Sequence, residues 1–183
     1  MVRPTDHKEA SSFIRAHHYS KSCTNTRVYC FGLYREVIFT PIMGAAIWLP
    51  PLPPVAKGLF PEGDHNRVLA LTRLAIHPDV PTNGASFLIG QCIKEIKRDD
   101  RYDCLVTYAD TRVGHSGAIY KATNWEYLGE TEPKTCWLDP SRGSQVSIKA
   151  GGRKKTRTVD QMEQLGYQRQ GTFTKHRYRM VLR

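Results

Sequence analysis

The spacing of hydrophobic and polar positions changes from that of a strand to that of a helix within residues 71–96, and the other predicted elements are placed relative to this stretch. Its first part carries β-favouring apolar residues that predict a buried strand, and Pro78 closes the strand because it has no N–H to donate to a ladder. The apolar residues after position 86 recur at helical spacing, so a helix should begin between Asn83 and Ser86. The amides of Asn83, Gly84, Ala85 and Ser86 would then lie at the helix N-terminus, where an anion is favoured.

The same two periods place the remaining elements. Helices are predicted over residues 5–17, with Thr5 as the cap, over residues 118–122 and over residues 158–166. Strands are predicted over residues 27–33, 36–48, 104–109 and 124–129, and residues 171–182 predict an edge strand. The Pro-rich run that begins at Pro50 predicts a loop to about Arg67. This order indicates one mixed α/β (α+β) domain over residues 1–183, a length that can bury a sizeable core.

Charge changes this picture because it is unevenly spread. The chain has 27 Lys and Arg residues against 17 Asp and Glu residues, a formal net charge of +10, and residues 139–183 hold 11 of the former but only 3 of the latter. A basic C-terminal part suggests a polyanionic partner, although a solvated basic tail is the alternative. The predicted contacts to nucleic-acid phosphates in this part are Lys149, Arg153, Lys154, Lys155, Arg157, Lys175 and Arg177.

The cysteines and the hydropathy narrow the class of protein. Five cysteines without CxxC spacing indicate neither a disulfide framework nor a structural zinc site. No apolar run reaches 18 residues, and the first residues lack the apolar core of a signal peptide. We therefore expect a cytoplasmic protein without a membrane partner.

The turn over residues 81–86 resembles the acyl-CoA pyrophosphate loop of the GNAT acyltransferase superfamily, with Gly84 in register. An ordinary turn between a strand and a helix is the alternative. The stretch around Tyr120, followed by N-W-E-Y-L-G, has the order with which that fold ends its cofactor half. The two partial matches support each other and favour a GNAT-like central mixed β-sheet flanked by helices, with a basic C-terminal extension.

A set of motifs taken in order resembles the Mom family of phage DNA-modification proteins. They are H-H-Y-S at residues 17–20, R-L-A-I-H-P-D-V-P-T-N at residues 73–83, Y-A-D at residues 108–110, G-H-S-G-A-I-Y-K-A-T-N-W at residues 114–125 and K-H-R-Y at residues 175–178. The resemblance implies a transferase that converts adenine N6 in double-stranded DNA to its carbamoylmethyl form in the host cytoplasm and so protects phage DNA from restriction. It also implies bound iron. The family's catalytic and metal-binding residues fall on His18, Tyr19 and Asp110, and its acyl-CoA pocket falls on Arg73, Ser86 and Tyr120. The oligomeric state, monomer or homodimer, stays open.

Other functions remain compatible with the residues. One is an acetyl-CoA-dependent N-acetyltransferase acting on an RNA, a peptide or a small amine, and another is an inactive GNAT-fold module that binds nucleic acid. His18 with Tyr19 could be a packing pair, Asp110 a cap of the following turn and Arg73 a surface residue. An adenine methyltransferase is disfavoured because the chain has no D-P-P-[YFW] motif. If a base leaves the duplex, the aromatic candidates to stack on it are Tyr19, Trp48 and Trp125.

Overall fold

The computed structural model describes residues 1–36, 40–149 and 156–182. Its strands are β1 Val2–Pro4, β2 Tyr29–Leu33, β3 Gly44–Leu49, β4 Val68–Ile76, β5 Cys104–Asp110, β6 Glu126–Glu130, β7 Lys134–Asp139, β8 Ser144–Val146, β9 Gln168–Phe173 and β10 Lys175–Val181. Its α-helices are α1 His7–His17, α2 Pro53–Leu59, α3 Gly84–Arg98, α4 Ala118–Lys121 and α5 Val159–Gln164. Short 3-10 turns cover His65–Arg67 and Thr111–Val113.

Seven strands form the main sheet in the order β1-β2-β3-β4-β5-β10-β6. β4 and β5 pair in parallel, and their neighbours pair antiparallel, so the sheet is mixed as predicted. Three further strands form a small sheet in the order β8-β7-β9. α5 lies between β8 and β9 in the chain, and Thr158 and Gln161 form a capping box at its start. β8 and β9 lie within the predicted basic part, residues 139–183, whereas β7 ends at its first residue.

Helices cover both faces of the main sheet, because the alternation along each strand sends neighbouring side chains to opposite sides. On β3, Ala46 and Trp48 pack with the apolar face of α3, whereas Ala45 and Ile47 pack with α1. α2 packs against the first residues of β4 and β5, on the same side of the sheet as α1. Tyr178 of β10 is fully buried, and its ring lies directly against Gly117.

Several predictions are confirmed and others are wrong for local reasons. The central strand and helix appear as β4 and α3, but the cap of α1 is Asp6, whose carboxylate accepts the Lys8 N–H at 2.7 Å. The predicted loop from Pro50 contains α2, because Pro53 stands at the first position of a helix, where a missing N–H is tolerated. The predicted strand over residues 36–48 begins at Gly44 among the described residues, and residues 37–39 lie outside them.

The C-terminal strand is not an edge strand. β10 lies between β5 and β6 and pairs with both, so the prediction for residues 171–182 is wrong in its placement. The same stretch also divides into β9, which joins the small sheet, and β10, which joins the main one. No helix in the described ranges is long and apolar enough to cross a membrane.

β4 and β5 pair over only three residues and then separate. The parallel ladder joins Val68–Ala70 to Cys104–Val106, whereas β4 continues to Ile76 and β5 to Asp110. The Thr107 hydroxyl donates to the Leu71 carbonyl at 3.1 Å just where the ladder ends. An opening at the carboxyl ends of two parallel strands is the position in which open α/β sheets bind ligands.

Candidate active site

His18 and Tyr19 reach the opening because α1 ends one residue earlier. His17 is the last helical residue, and His18 has an extended backbone, with φ of −84° and ψ of 138°. His17 stacks on Phe13 outside the opening, at 4.3 Å between ring centroids, whereas His18 stacks on Tyr19 at the same distance. The end of the helix therefore separates the two adjacent histidines.

Tyr19 and Asp110 meet from positions 91 residues apart. The Tyr19 hydroxyl donates to Asp110 Oδ2 at 3.3 Å, and the carboxylate is 6% exposed at the end of β5. Asp110 Oδ1 accepts the backbone N–H of Arg112 at 3.1 Å, so Asp110 also caps the following 3-10 turn. Lys175 Nζ lies 3.8 Å from Oδ2. One carboxylate oxygen thus caps the turn, and the other faces the tyrosine and the lysine.

The environment keeps both aromatic side chains uncharged near neutral pH. Burial, and then the charge of Asp110 and the hydrogen bond to it, raise the pKa of Tyr19 to about 12. Burial, with smaller effects from Arg73 and His115, lowers the pKa of His18 to about 4. Tyr19 is therefore a phenol rather than a phenolate, and His18 a neutral imidazole.

Hydrogen bonds also settle which nitrogen of His18 carries the proton. The backbone N–H of Ser20 donates to His18 Nδ1 at 3.1 Å, and Ser20 Oγ lies 2.8 Å from the same atom. Nδ1 is therefore an acceptor, and a neutral ring must hold its proton on Nε2.

Iron, which the family resemblance implies, does not fit this arrangement of His18, Tyr19 and Asp110. Metal binding through Nε2 would require its proton to move to Nδ1, which accepts the Ser20 N–H in this arrangement. Tyr19 keeps a proton that it donates to Asp110. Across residues 1–36, 40–149 and 156–182, no three His, Cys, Asp or Glu side chains lie close enough to share a metal ion. We derive no chemical step through iron.

The residues predicted for acyl-CoA fall into two groups. Arg73 and Tyr120 line a cavity of about 90 Å³ together with His18 and Tyr19. Tyr120 is 7% exposed, and its hydroxyl accepts a hydrogen bond from Thr107 at 3.3 Å. Arg73, however, donates to the carbonyls of Thr72 and Ser22.

The turn before α3 lies apart from that cavity. Asn83 and Gly84 line a separate cavity of about 290 Å³. The predicted free amide of Gly84 is wrong, because its N–H donates to the Pro81 carbonyl at 2.8 Å. Ala85 and Ser86 lie in the first turn of α3, where N–H groups have no helical acceptor.

The predicted DNA-binding residues differ in their surroundings. Lys175 is half-exposed beside Asp110, whereas the Arg177 guanidinium donates to the Leu128 carbonyl at 2.7 Å. Lys149 and Arg157 lie on the connection between β8 and α5, where the Arg157 N–H donates to the Ile148 carbonyl at 2.9 Å. The three remaining residues, Arg153, Lys154 and Lys155, lie outside the described residues.

Other groups around Tyr19 were not predicted from the sequence. The His115 ring meets the Tyr19 ring edge-on at 5.5 Å, and the Arg112 guanidinium lies 5.6 Å from the centre of that ring. With its amide oxygen turned toward Arg112, Gln145 of β8 accepts from Arg112 Nε at 2.6 Å. In the sequence His115 lies between Gly114 and Gly117, and this position between glycines was the feature that could have identified it as a site residue.

The aromatic candidates for base stacking reduce to one. Trp48 is fully buried, Trp125 is 5% exposed, and their rings stack on each other in the core at 6.4 Å. The stacking prediction for these two residues is therefore wrong. Tyr19 is 37% exposed and faces the opening.

Comparison with known families and proteins gives a match over the whole chain. A family model described as the Mom protein family matches residues 1–183. The chain is 26% identical over 151 residues to the methylcarbamoylase mom of Escherichia phage Mu. That match covers 79% of this chain and 61% of the relative, so the chain spans less than two thirds of the relative's length.

Solved structures share the fold. An N-acetyltransferase from Staphylococcus aureus Mu50 superposes with a TM-score of 0.56 at 14% identity, covering 100% of this chain and 98% of that one. The ribosomal-protein-S18-alanine N-acetyltransferase from Escherichia coli gives 0.57 at 11% identity, covering 100% and 93%. A GNAT family N-acetyltransferase from Escherichia coli in complex with CoA gives 0.51 at 13% identity, covering 69% and 68%. The fold is therefore that of the GNAT acetyltransferases, as predicted.

Proposed function

The chain belongs to the Mom protein family, and on that premise we propose that it is a DNA-modifying transferase that converts adenine N6 in duplex DNA to N6-carbamoylmethyladenine. The relative from phage Mu is named a methylcarbamoylase, which supports this reaction. Protection of phage DNA from restriction in the host cytoplasm is part of the same proposal.

One observation carries the assignment of the site. Tyr19 and Asp110 come together in the β4/β5 opening, at the carboxyl end of a central strand, with a hydrogen bond between a protonated phenol and a buried carboxylate. Such a pair can hold and move a proton, and its residues come from distant parts of the chain. A capping role explains only one of the two Asp110 oxygens.

The pair suits a weak nucleophile. The lone pair of adenine N6 is delocalised into the ring, so N6 must lose a proton as its new bond to carbon forms. In the proposed step N6 bonds to the methylene carbon of an activated carbamoylmethyl donor as the bond from that carbon to its leaving group breaks. Tyr19 Oη accepts the N6 proton, and its own proton passes to Asp110 Oδ2. Lys175 Nζ, 3.8 Å from Oδ2, stabilises the charged Asp110 carboxylate before the proton arrives.

The base must leave the duplex to reach this pair. Extrusion costs a few kcal/mol, which stacking on an aromatic ring offsets in part. Tyr19 is the exposed aromatic ring at the opening, with the Arg112 guanidinium 5.6 Å from its centre. Lys149 and Arg157, on the connection between β8 and α5, and Lys175 would contact phosphates and bring double-stranded DNA to the opening.

Acyl-CoA is the proposed cofactor. Its support is the fold, the buried Tyr120 beside the opening and, at the separate cavity, the first-turn amides of α3. A GNAT structure with this fold is solved with CoA. Iron stays a prediction from the resemblance, and no step above depends on it.

Mass spectrometry of nucleosides tests the reaction. Plasmid DNA is recovered from cells that express the chain, beside cells that express a Tyr19→Phe variant at equal level. We expect a deoxyadenosine whose mass has increased by one carbamoylmethyl group in place of hydrogen, and we expect it to be lost in the variant. Unmodified DNA from well-folded protein, together with acetyl-CoA turnover on an amine, would favour the N-acetyltransferase instead. DNA binding without either activity would identify an inactive module.

A further inference from the structure

A chain of hydrogen bonds connects β4 to His18 through the segment that follows α1. Arg73 Nε donates to the Ser22 carbonyl at 2.9 Å, and Arg73 Nη2 lies 3.4 Å from Ser22 Oγ. Ser22 Oγ donates to Ser20 Oγ at 3.3 Å, and Ser20 Oγ lies 2.8 Å from His18 Nδ1. The strand thereby holds the segment that presents His18 and Tyr19.

The guanidinium of Arg73 is engaged within the protein. Its third nitrogen, Nη1, donates to the Thr72 carbonyl at 2.7 Å, so each nitrogen has a protein acceptor. A planar guanidinium with fixed acceptors on a strand and on a loop holds the loop at a defined distance from the sheet. These bonds use three of the five guanidinium N–H groups and fix the direction in which the guanidinium points.

The same chain fixes the tautomer of His18. Ser20 contributes two groups to Nδ1, and its backbone N–H can only donate. The proton of the neutral ring therefore stays on Nε2, the nitrogen on the other side of the ring. His18 is 9% exposed and lines the 90 Å³ cavity with Tyr120 and His115.

We infer that His18 is a neutral hydrogen-bond donor through Nε2–H in the β4/β5 opening, and that Arg73 is a positioning residue that acts on it through Ser22 and Ser20. The acceptor that suits this donor is the carbonyl oxygen of the carbamoylmethyl group, which the Nε2–H would hold in place while N6 bonds to the neighbouring methylene carbon. This deepens the proposed function and rests on it for the identity of that group. It differs from both roles implied by the resemblance, a metal ligand for His18 and a cofactor contact for Arg73.

The tautomer is measurable without any activity. Protein labelled with ¹⁵N-histidine gives ring nitrogen and carbon-bound proton correlations that distinguish the two neutral tautomers, and a His18→Gln sample assigns the signals. We expect His18 at pH 7 to be neutral with its proton on Nε2. A ring protonated on Nδ1 would overturn the inference, whether or not the protein modifies DNA.

Adding Fe²⁺ to the same sample distinguishes a hydrogen-bond donor role of His18 from a metal-ligand role. Fe²⁺ is paramagnetic, so an imidazole bound to it loses its sharp signals. We expect one equivalent of Fe²⁺, added without oxygen, to leave the His18 ring signals in place. Selective loss of those signals, ahead of those of the exposed His115, would show that His18 binds the metal and would refute the donor role.

Arg73→Lys tests the positioning role, with Arg98→Lys on the exposed face of α3 as the matched control. Lysine cannot make the several hydrogen bonds of the Arg73 guanidinium, so the rate of DNA modification should fall about 10- to 100-fold, the range for a lost hydrogen bond to a charged group. Calorimetric titration should show acetyl-CoA binding unchanged within about twofold. A selective loss of acetyl-CoA binding would instead make Arg73 a cofactor contact and overturn its assignment.

A double-mutant cycle gives a readout that a merely structural role would not move. In a His18→Gln background, Arg73→Lys should have little further effect on modification, because residues that act through one another are not additive. Ser22→Ala should lower the rate by a smaller factor of about 2 to 5, since it keeps the carbonyl that accepts from Arg73 Nε. Fully additive losses in folded proteins would show that Arg73 does not act through His18.

Discussion

Replacing Asp110 separates its two roles, because each carboxylate oxygen has a different partner. Oδ1 accepts the Arg112 N–H, and Oδ2 accepts the Tyr19 hydroxyl. Asp110→Asn keeps a carbonyl oxygen for the cap and removes the charge, whereas Asp110→Ala removes both. The pair of variants should therefore share the same catalytic defect and differ in stability.

The structure sets the magnitudes. Loss of a side-chain cap costs about 1 kcal/mol, with a range of about 0.5–2. The ion pair with the half-exposed Lys175 adds less than about 1 kcal/mol, because solvent screens it. We expect Asp110→Ala to unfold about 3–6 °C below the native protein and Asp110→Asn within about 2 °C of it, at about 2–4 °C per kcal/mol for a chain of this size.

The activity assay uses the rate at which modified deoxyadenosine accumulates shortly after induction. Both variants should lose at least about 100-fold, the lower range for loss of a group that takes up a proton. Asp139→Asn is the matched control, because Asp139 likewise caps a turn, accepting the Ser141 N–H at 3.0 Å, but lies in the small sheet. Native activity in folded Asp110→Asn protein would refute the proposed site, and equal melting temperatures of the two Asp110 variants would refute the cap.

Three further predictions concern stability and DNA binding. Gly117→Ala should lower the free energy of unfolding by about 2–4 kcal/mol, because at a φ of +75° the added Cβ would clash with a buried tyrosine ring. Gly114→Ala, at the same φ but with no neighbouring atom within reach, should lower it by only about 1–2 kcal/mol. Thermal unfolding of both variants separates the clash from the backbone strain, and equal losses would contradict the clash. The pKa of His18 is lowered to about 4, so between pH 6.5 and pH 4 the unfolded chain binds a proton that the folded protein does not. Urea unfolding should therefore show the free energy of unfolding falling by at most about 3 kcal/mol as the pH drops through that window. A His18→Gln variant with the same pH dependence would refute this. Lys175→Gln should reduce by about 1 the slope of the logarithm of the DNA-binding constant against the logarithm of the salt concentration. Arg177→Gln should leave that slope unchanged, because the Arg177 guanidinium donates to a carbonyl within the protein. Identical slopes for both variants would contradict the assignment.

Much of the local structure followed from the sequence. The change of period after Pro78 predicted β4 and α3, since periodicity and helix-terminating residues act within a few positions of the chain. The helix over residues 158–166 was likewise predicted, and α5 lies within that range. The family motifs, rather than the physics of the residues, placed His18, Tyr19 and Asp110 on the list of site residues.

Errors arose where local rules compete. Thr5 and Asp6 are both good caps, and the sequence did not decide between them. Pro53 was interpreted as part of a loop, although proline at the first helical position is compatible with a helix, and α2 begins there. Both errors concern element boundaries, which the alternation of apolar residues does not define.

Only the tertiary structure decided which residues meet. β10 lies between β5 and β6, a strand order that no local pattern encodes, and this order brings Lys175 to Asp110. The same applies to Arg73, which the sequence allowed as a cofactor contact but whose guanidinium holds Ser22, 51 residues away. The sequence by itself determined elements, caps and net charge, because these depend on neighbours along the chain. The site depends on contacts between distant residues, whose partners are chosen by packing and by the hydrogen bonds that each buried polar group must satisfy.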